Sequence, residues 1–198
     1  MSETLRPEDH PLPQRILHWS NLICFAFLIF TGFMIRFPFQ GMPMNLMRNL
    51  HFVFMFIFIV GGIARGFISI FGREHDFKTL VLTKEDWKNF IPQVLYYLFI
   101  RKEEPHFVKY NSMQKLAYIA LQVLGVCQVI TGFILYRPQT LQKFGYMLGG
   151  LETVRTLHYL IMWIFIFIIV VHLYLVFTAA MEQFWFMLFG KIKKSHEH

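Results

Sequence analysis

His158 and His172 stand fourteen residues apart inside one almost unbroken apolar stretch, Leu157–Ala180. At ~1.5 Å rise and ~100° per residue, a helix would hold the two imidazoles roughly 21 Å apart and within ~40° of one face. Imidazoles are costly to bury in hydrocarbon unless they are hydrogen-bonded or coordinated, so the pair reads as a pair of ligands at two membrane depths. Two further histidines match them in depth. His51 heads the second apolar block as His158 heads the fourth, and His18 lies in the first block toward the same side as His172. Four histidines in two depth-matched pairs, His51 with His158 and His18 with His172, suit the axial ligation of two haem irons. Haem is a large apolar macrocycle that wedges between helices, and its axial ligands set a one-electron potential. Zinc prefers clustered His and Cys at one depth, a cluster that Cys24 and Cys127 do not form. Copper at two separated bis-histidine sites would be strained.

The elements that must carry these residues follow from composition. The 198-residue chain is 56% hydrophobic and only 16% charged, and its apolar residues fall in long blocks. Four blocks, Ile16–Ile35, His51–Phe71, Leu116–Tyr136 and Leu157–Ala180, reach the ~20 residues that a hydrocarbon core demands. The expectation is an all-α chain, a four-transmembrane-helix bundle forming a single integral membrane domain over 1–198, with spans at 16–36, 51–71, 116–136 and 156–180. Met1–Gln14 is polar and lacks the pattern of a cleavable signal peptide. With four spans, both termini and the Gly72–Lys115 connection share a side and carry about fourteen of the 19 basic residues. Arg36, Arg48, Arg137, Lys143 and Arg155 fall on the other side. The positive-inside rule then places both termini in the cytoplasm of a prokaryotic inner membrane. The net charge of +7 is topological and gives no platform for nucleic acid.

Within that connection, Thr83-Lys84-Glu85-Asp86 reads as a capped helix start. Trp87, Phe90, Val94, Tyr97 and Leu98 recur at helical spacing, which predicts an amphipathic interfacial helix interrupted or kinked at Pro92. The rest of the chain echoes itself. Thr31-Gly32-Phe33 closes the first span as Thr131-Gly132-Phe133 closes the third, with Pro38 and Pro138 following. Arg48-Asn49-Leu50-His51 opens the second span as Arg155-Thr156-Leu157-His158 opens the fourth, so the chain reads as two related hairpins. The inner histidines break that symmetry, because the counterpart of His172 is Arg65 and that of His18 is Tyr118. Arg65, Arg48 and Arg155 are candidate partners for haem propionates. Gly32, Gly61, Gly62, Gly66, Gly125 and Gly132 are candidate points of close approach for a macrocycle, although glycine serves ordinary helix packing equally well. His10, His75, His196 and His198 lie in polar segments and read as solvated, and the two cysteines are too few for a disulfide framework.

The His18-Trp19 opening, His51 at the head of span two, the His158/His172 spacing and the four-span topology resemble the dihaem cytochrome b subunits of respiratory formate dehydrogenases and nickel–iron hydrogenases, along with the related thiosulfate reductase anchors. These belong to a prokaryotic cytochrome b561-like family, and the resemblance covers nearly the whole chain. It implies two b haems, an outer one held by His51 and His158 and an inner one held by His18 and His172. It also implies a menaquinone site. Tyr110-Asn111-Ser112-Met113-Gln114-Lys115 is similar to a family segment in which the asparagine binds the quinone beside the inner haem. Asn111 and Gln114 carry over; Met113 replaces a glycine found in formate dehydrogenase subunits, and His106 is a candidate for proton delivery. Asn111 has a competing role as a helix cap.

No nucleotide loop, flavin motif or iron–sulfur ligand set appears in the sequence, so the chain reads as an electron relay without catalysis of a primary substrate. The expected partners are an iron–sulfur subunit and the catalytic subunit of a hydrogenase or formate dehydrogenase, with the quinone and the lipid membrane. Two alternatives stay open: a free-standing cytochrome b561-type quinol or superoxide oxidoreductase, and a haem-free membrane transporter.

Overall fold

The structure is a computed structural model that describes residues 11–72, 81–106 and 111–190. Among these residues every regular element is a helix. Four are long and apolar enough to cross a membrane: α1 (Leu12–Arg36), α2 (Met44–Phe71), α4 (Ser112–Tyr136) and α6 (Leu151–Ala179). Three shorter helices, α3 (Lys84–Tyr97), α5 (Gln142–Met147) and α7 (Met181–Phe189), complete the set. Each long helix starts four to seven residues before the hydropathic block that marks it. Helix persists into the headgroup layer, where polar residues are at home, whereas hydropathy registers only the hydrocarbon.

The chain divides into two compact units, 1–71 with 176–198, and 72–175. In the first, α1 and α2 pack through aromatic pairs, Phe27 stacked on Phe54 at 4.1 Å and Phe25 edge-on to Phe58 at 5.0 Å between ring centroids. Deeper along the pair, a Cβ added at Gly61 would stand 3.0 Å from Asn21 Oδ1, so the small residue sets the helix approach there. The end of α7 returns to the start of α1. Arg15 Nε and Trp19 Nε1 each donate to the Met187 carbonyl at 3.1 Å, and Arg15 Nη2 donates to Leu188 O at 3.3 Å. These bonds satisfy carbonyls that a helix C-terminus leaves without an intrahelical partner. Gly190 caps α7 at φ 69°, a left-handed conformation that favours glycine.

In the second unit, α3 begins with the expected capping box. Thr83 Oγ1 accepts from the Asp86 amide, and Asp86 Oδ2 accepts from the Thr83 amide at 2.7 Å. Pro92 does not interrupt this helix, which runs on to Tyr97. A proline removes one intrahelical bond, and tertiary contacts on both sides hold the turn: Lys115 Nζ reaches Asp86 Oδ2 at 2.9 Å, and Asn111 Nδ2 donates to Tyr97 Oη at 2.6 Å. The chain reaches α6 from α5 through Gly149 and Gly150, both at positive φ.

The internal echo extends to the backbone. α1 ends at Arg36 with Phe37 at φ −125°, ψ 70°, and α4 ends at Tyr136 with Arg137 at φ −127°, ψ 62°. In both, the cap N–H bonds the carbonyl four residues back, Phe33 or Phe133.

Candidate functional site

The first unit supplies His18 on α1 and His51 on α2; the second supplies His158 and His172, both on α6. His51 is half-buried, and its Nδ1 lies 2.8 Å from Thr31 Oγ1 on α1. His158 is half-buried in the same way, its Nδ1 2.9 Å from Thr131 Oγ1 on α4. The two histidines therefore stand in matching environments, each on the second helix of its hairpin and each held by the threonine near the end of the first. His158 also meets a side chain at its other nitrogen, Nε2 lying 3.2 Å from Gln128 Nε2. The position three residues before the threonine is Gln128 in one hairpin and Leu28 in the other, so the asymmetry is written in the sequence. Gln128 Oε1 is buried without a hydrogen-bond partner.

His18 and His172 present exposed rings, His18 with an edge-to-face contact to Trp19 at 5.5 Å. Arg48 and Arg155 are exposed in the second turns of α2 and α6. Each precedes a histidine by three residues, which puts guanidinium and imidazole on one helix face. Arg65 is half-buried along α2.

The polar residues before α4 are occupied with structure. Asn111 is 2% exposed and caps the helix; its Oδ1 accepts from Gln114 N–H at 2.9 Å, while Gln114 Oε1 accepts from Asn111 N–H at 3.1 Å. The alternative reading of Asn111 as a cap describes this geometry, and its amide also donates to Tyr97 Oη. Tyr97 takes a bond on its backbone side as well, its carbonyl accepting from Tyr174 Oη at 3.5 Å. Burial raises the Tyr97 phenol above its ordinary range, with the Asn111 bond pulling the other way. Burial also disfavours the Asp86 carboxylate, but the hydrogen bonds from Lys115 and Thr83 outweigh it and hold the carboxyl below its ordinary range. His106 is exposed on the connection before α4. Tyr110, His10, His75, His196 and His198 lie outside the described residues.

Metal chemistry can be judged from the donors. Within neither unit do three His, Cys, Asp or Glu side chains of the described residues gather into a metal-ion cluster, and Cys24 and Cys127 are both unpaired thiols. An axial haem ligand needs one imidazole nitrogen for iron and an acceptor for the N–H of the other, which is the arrangement that Thr31 and Thr131 offer His51 and His158. The residues fit haem.

Residues 9–190 match the family described as prokaryotic cytochrome b561. The chain belongs to that family. Haem b is accordingly the cofactor that family membership implies. Relatives extend across most of its length. It is 28% identical over 183 residues to the protein named "Probable Ni/Fe-hydrogenase B-type cytochrome subunit" of Cupriavidus necator, covering 82% of this chain and 75% of that one. The protein of the same name in Azotobacter chroococcum is 29% identical over 192 residues, with 86% and 79% covered. A "Probable Ni/Fe-hydrogenase 1 B-type cytochrome subunit" of Escherichia coli is 25% identical over 185 residues, with 82% and 79% covered.

Sequence reasoning marked the histidines and missed what holds two of them. Thr31 and Thr131 entered only as signs of repetition, and Gln128 and Tyr97 did not enter as site residues. The signal was present: a hydroxyl at the same offset in both repeats, within an otherwise apolar helix, has to find a polar partner.

Proposed function

We propose that this chain is the membrane-anchor cytochrome b subunit of a nickel–iron hydrogenase, carrying electrons from an iron–sulfur partner subunit across the membrane to menaquinone. Family membership and the hydrogenase names of the relatives support the partner. The observation that carries the reading is the matched threonine–histidine arrangement in both hairpins, at 2.8 and 2.9 Å. Equivalent positions in two repeats suit His51 and His158 to one haem, and His18 with His172 make the second pair. When bound, each haem supplies a one-electron couple.

The chain's own residues divide the remaining work. The four imidazoles ligate; Arg48, Arg155 and Arg65 neutralise propionate charge; Asn111, Gln114 and His106 bind quinone and bring protons from the cytoplasmic side, where both termini lie. Moving one electron inward across the full potential is worth ~2.3 kcal/mol per 100 mV, so proton uptake on the inner side conserves energy. Alanine at His51 or at His158 should each remove the same single haem, and alanine at His18 or His172 the other. Pyridine haemochrome quantitation and reduced-minus-oxidised spectra of the complex purified with its hydrogenase subunits read this directly. Two full equivalents of haem in the His51 or His158 variant, or co-purification with no hydrogenase subunit, would overturn the reading.

A further inference from the structure

Thr31 is 0% exposed and Thr131 is 5% exposed, and both hydroxyls lie between a backbone carbonyl of their own helix and an imidazole of the next. Thr31 Oγ1 donates to Phe27 O at 2.6 Å and Thr131 Oγ1 to Cys127 O at 2.8 Å, in each case the carbonyl four residues back. With its hydrogen so engaged, each hydroxyl meets the imidazole with an oxygen lone pair, and Nδ1 must be the donor. With Nδ1 as the donor, Nε2 of His158 is left as the acceptor facing the Gln128 amide at 3.2 Å.

The contact does not follow from loop length. Thr31 and His51 are 20 residues apart, Thr131 and His158 are 27 apart, and the second connection carries α5, yet the same atoms meet at the same distance. A packing threonine satisfied by its own helix would need no imidazole. We infer that Thr31 and Thr131 are positioning residues that fix His51 and His158 as Nε2 ligands and, by accepting their Nδ1–H, lower the reduction potential of the haem those histidines hold. The inference rests on the ligand pairing proposed above. A hydrogen bond from Nδ1–H makes the imidazole more basic and stabilises the more positive, ferric state.

Potentiometric titration of the haem-loaded complex tests this with Thr31→Val and Thr131→Val, which keep the shape and remove the hydroxyl, and with Thr31→Ser and Thr131→Ser, which restore it. Each valine variant should change the ferric-to-ferrous ratio of one haem about tenfold toward ferrous, about 59 mV for a one-electron couple. The other haem should stay where it was, and serine should restore the ratio to within about twofold. Haem retention against apomyoglobin should fall about 10- to 100-fold in the valine variants. A second measurement needs no haem: histidine-selective nitrogen-15 spectra of the haem-free chain should show Nδ1 protonated and Nε2 bare at His51 and His158.

Both haems moving equally, neither moving, serine failing to restore the ratio, or a protonated Nε2 at His158 would each overturn the inference. If alanine at His51 and His158 removes one haem while the valine variants titrate like the parent, the inference falls and the proposed function stands. If the alanine variants keep both haems, the ligand pairing itself falls.

Discussion

Replacing Asn111 separates two roles that one side chain could hold, helix cap and quinone ligand. Asn111→Ala removes the acceptor for Gln114 N–H, a cap worth about 1 kcal/mol. It also removes the donor to Tyr97 Oη, a further net loss of about 1 kcal/mol. Together these amount to about 2 kcal/mol, or about 30-fold in the opening equilibrium of the first turn of α4. Asn111→Asp keeps an acceptor for the Gln114 amide, suits the positive end of the helix, and accepts from the Tyr97 hydroxyl in place of donating to it. Amide hydrogen exchange of residues 112–115 in lipid nanodiscs should therefore speed up about 30-fold in the alanine variant, with little change in the aspartate variant. The Tyr97 phenol, raised by burial and partly relieved by Asn111, should titrate higher still once the alanine is in place. In the complete complex, Asn111→Asp should keep both haems and lose quinone reduction, because a carboxylate cannot donate to a quinone carbonyl. Unchanged exchange in Asn111→Ala would refute the cap energetics. Unimpaired quinone reduction in Asn111→Asp would refute the amide's part in quinone binding.

Two further outcomes follow from the ends of the helices. The Asp86 carboxyl titrates below its ordinary value, so the stability it lends to the α3–α4 contact is present above about pH 3.9 and is lost as pH falls through its folded value. Lys115→Met should move that loss to higher pH, read as exchange of the α3 amides, and an unchanged profile would show that Lys115 does not hold the carboxyl down. Gly190→Ala imposes a Cβ on a left-handed residue beside the Arg15 guanidinium, and should cost about 1 kcal/mol or more and release α7. Trp19 fluorescence reports the release, and a parental spectrum and melting curve would count against the latch.

Much of this was legible because hydrocarbon is a strict solvent. The four spans and their C-terminal ends were visible as apolar runs and breaks, enforced by the cost of an unpaired backbone group in lipid, and the Thr83 cap and the duplication were visible as short motifs. The early starts of α2 and α6 were hidden, since Met44–Leu50 and Leu151–Thr156 mix charge with apolar residues and carry no hydropathic signature. The continuation of α3 past Pro92 depends on Lys115 and Asn111, both distant in sequence. α7 was missed for a different reason: apart from Glu182 and Gln183 it continues the apolar run of α6, and the break at Ala180 (φ −136°, ψ 34°) is marked by neither glycine nor proline. Thr31 and Thr131 stood in the sequence only as a repeated tripeptide, and their contacts with His51 and His158 form once the two helices of each hairpin lie side by side.

The bond between Arg15 and Met187 joins residues 172 apart in the chain. Synthesis at about 5–20 residues per second puts roughly 10–35 s between the emergence of the two partners. α1 must consequently wait, with its guanidinium and indole hydrogens still satisfied by water or lipid headgroups, for α7 to be made. Lesions near Met187 are therefore defects of α1 as much as of α7, and an insertion machinery that released α1 early would leave it unanchored until α7 had emerged.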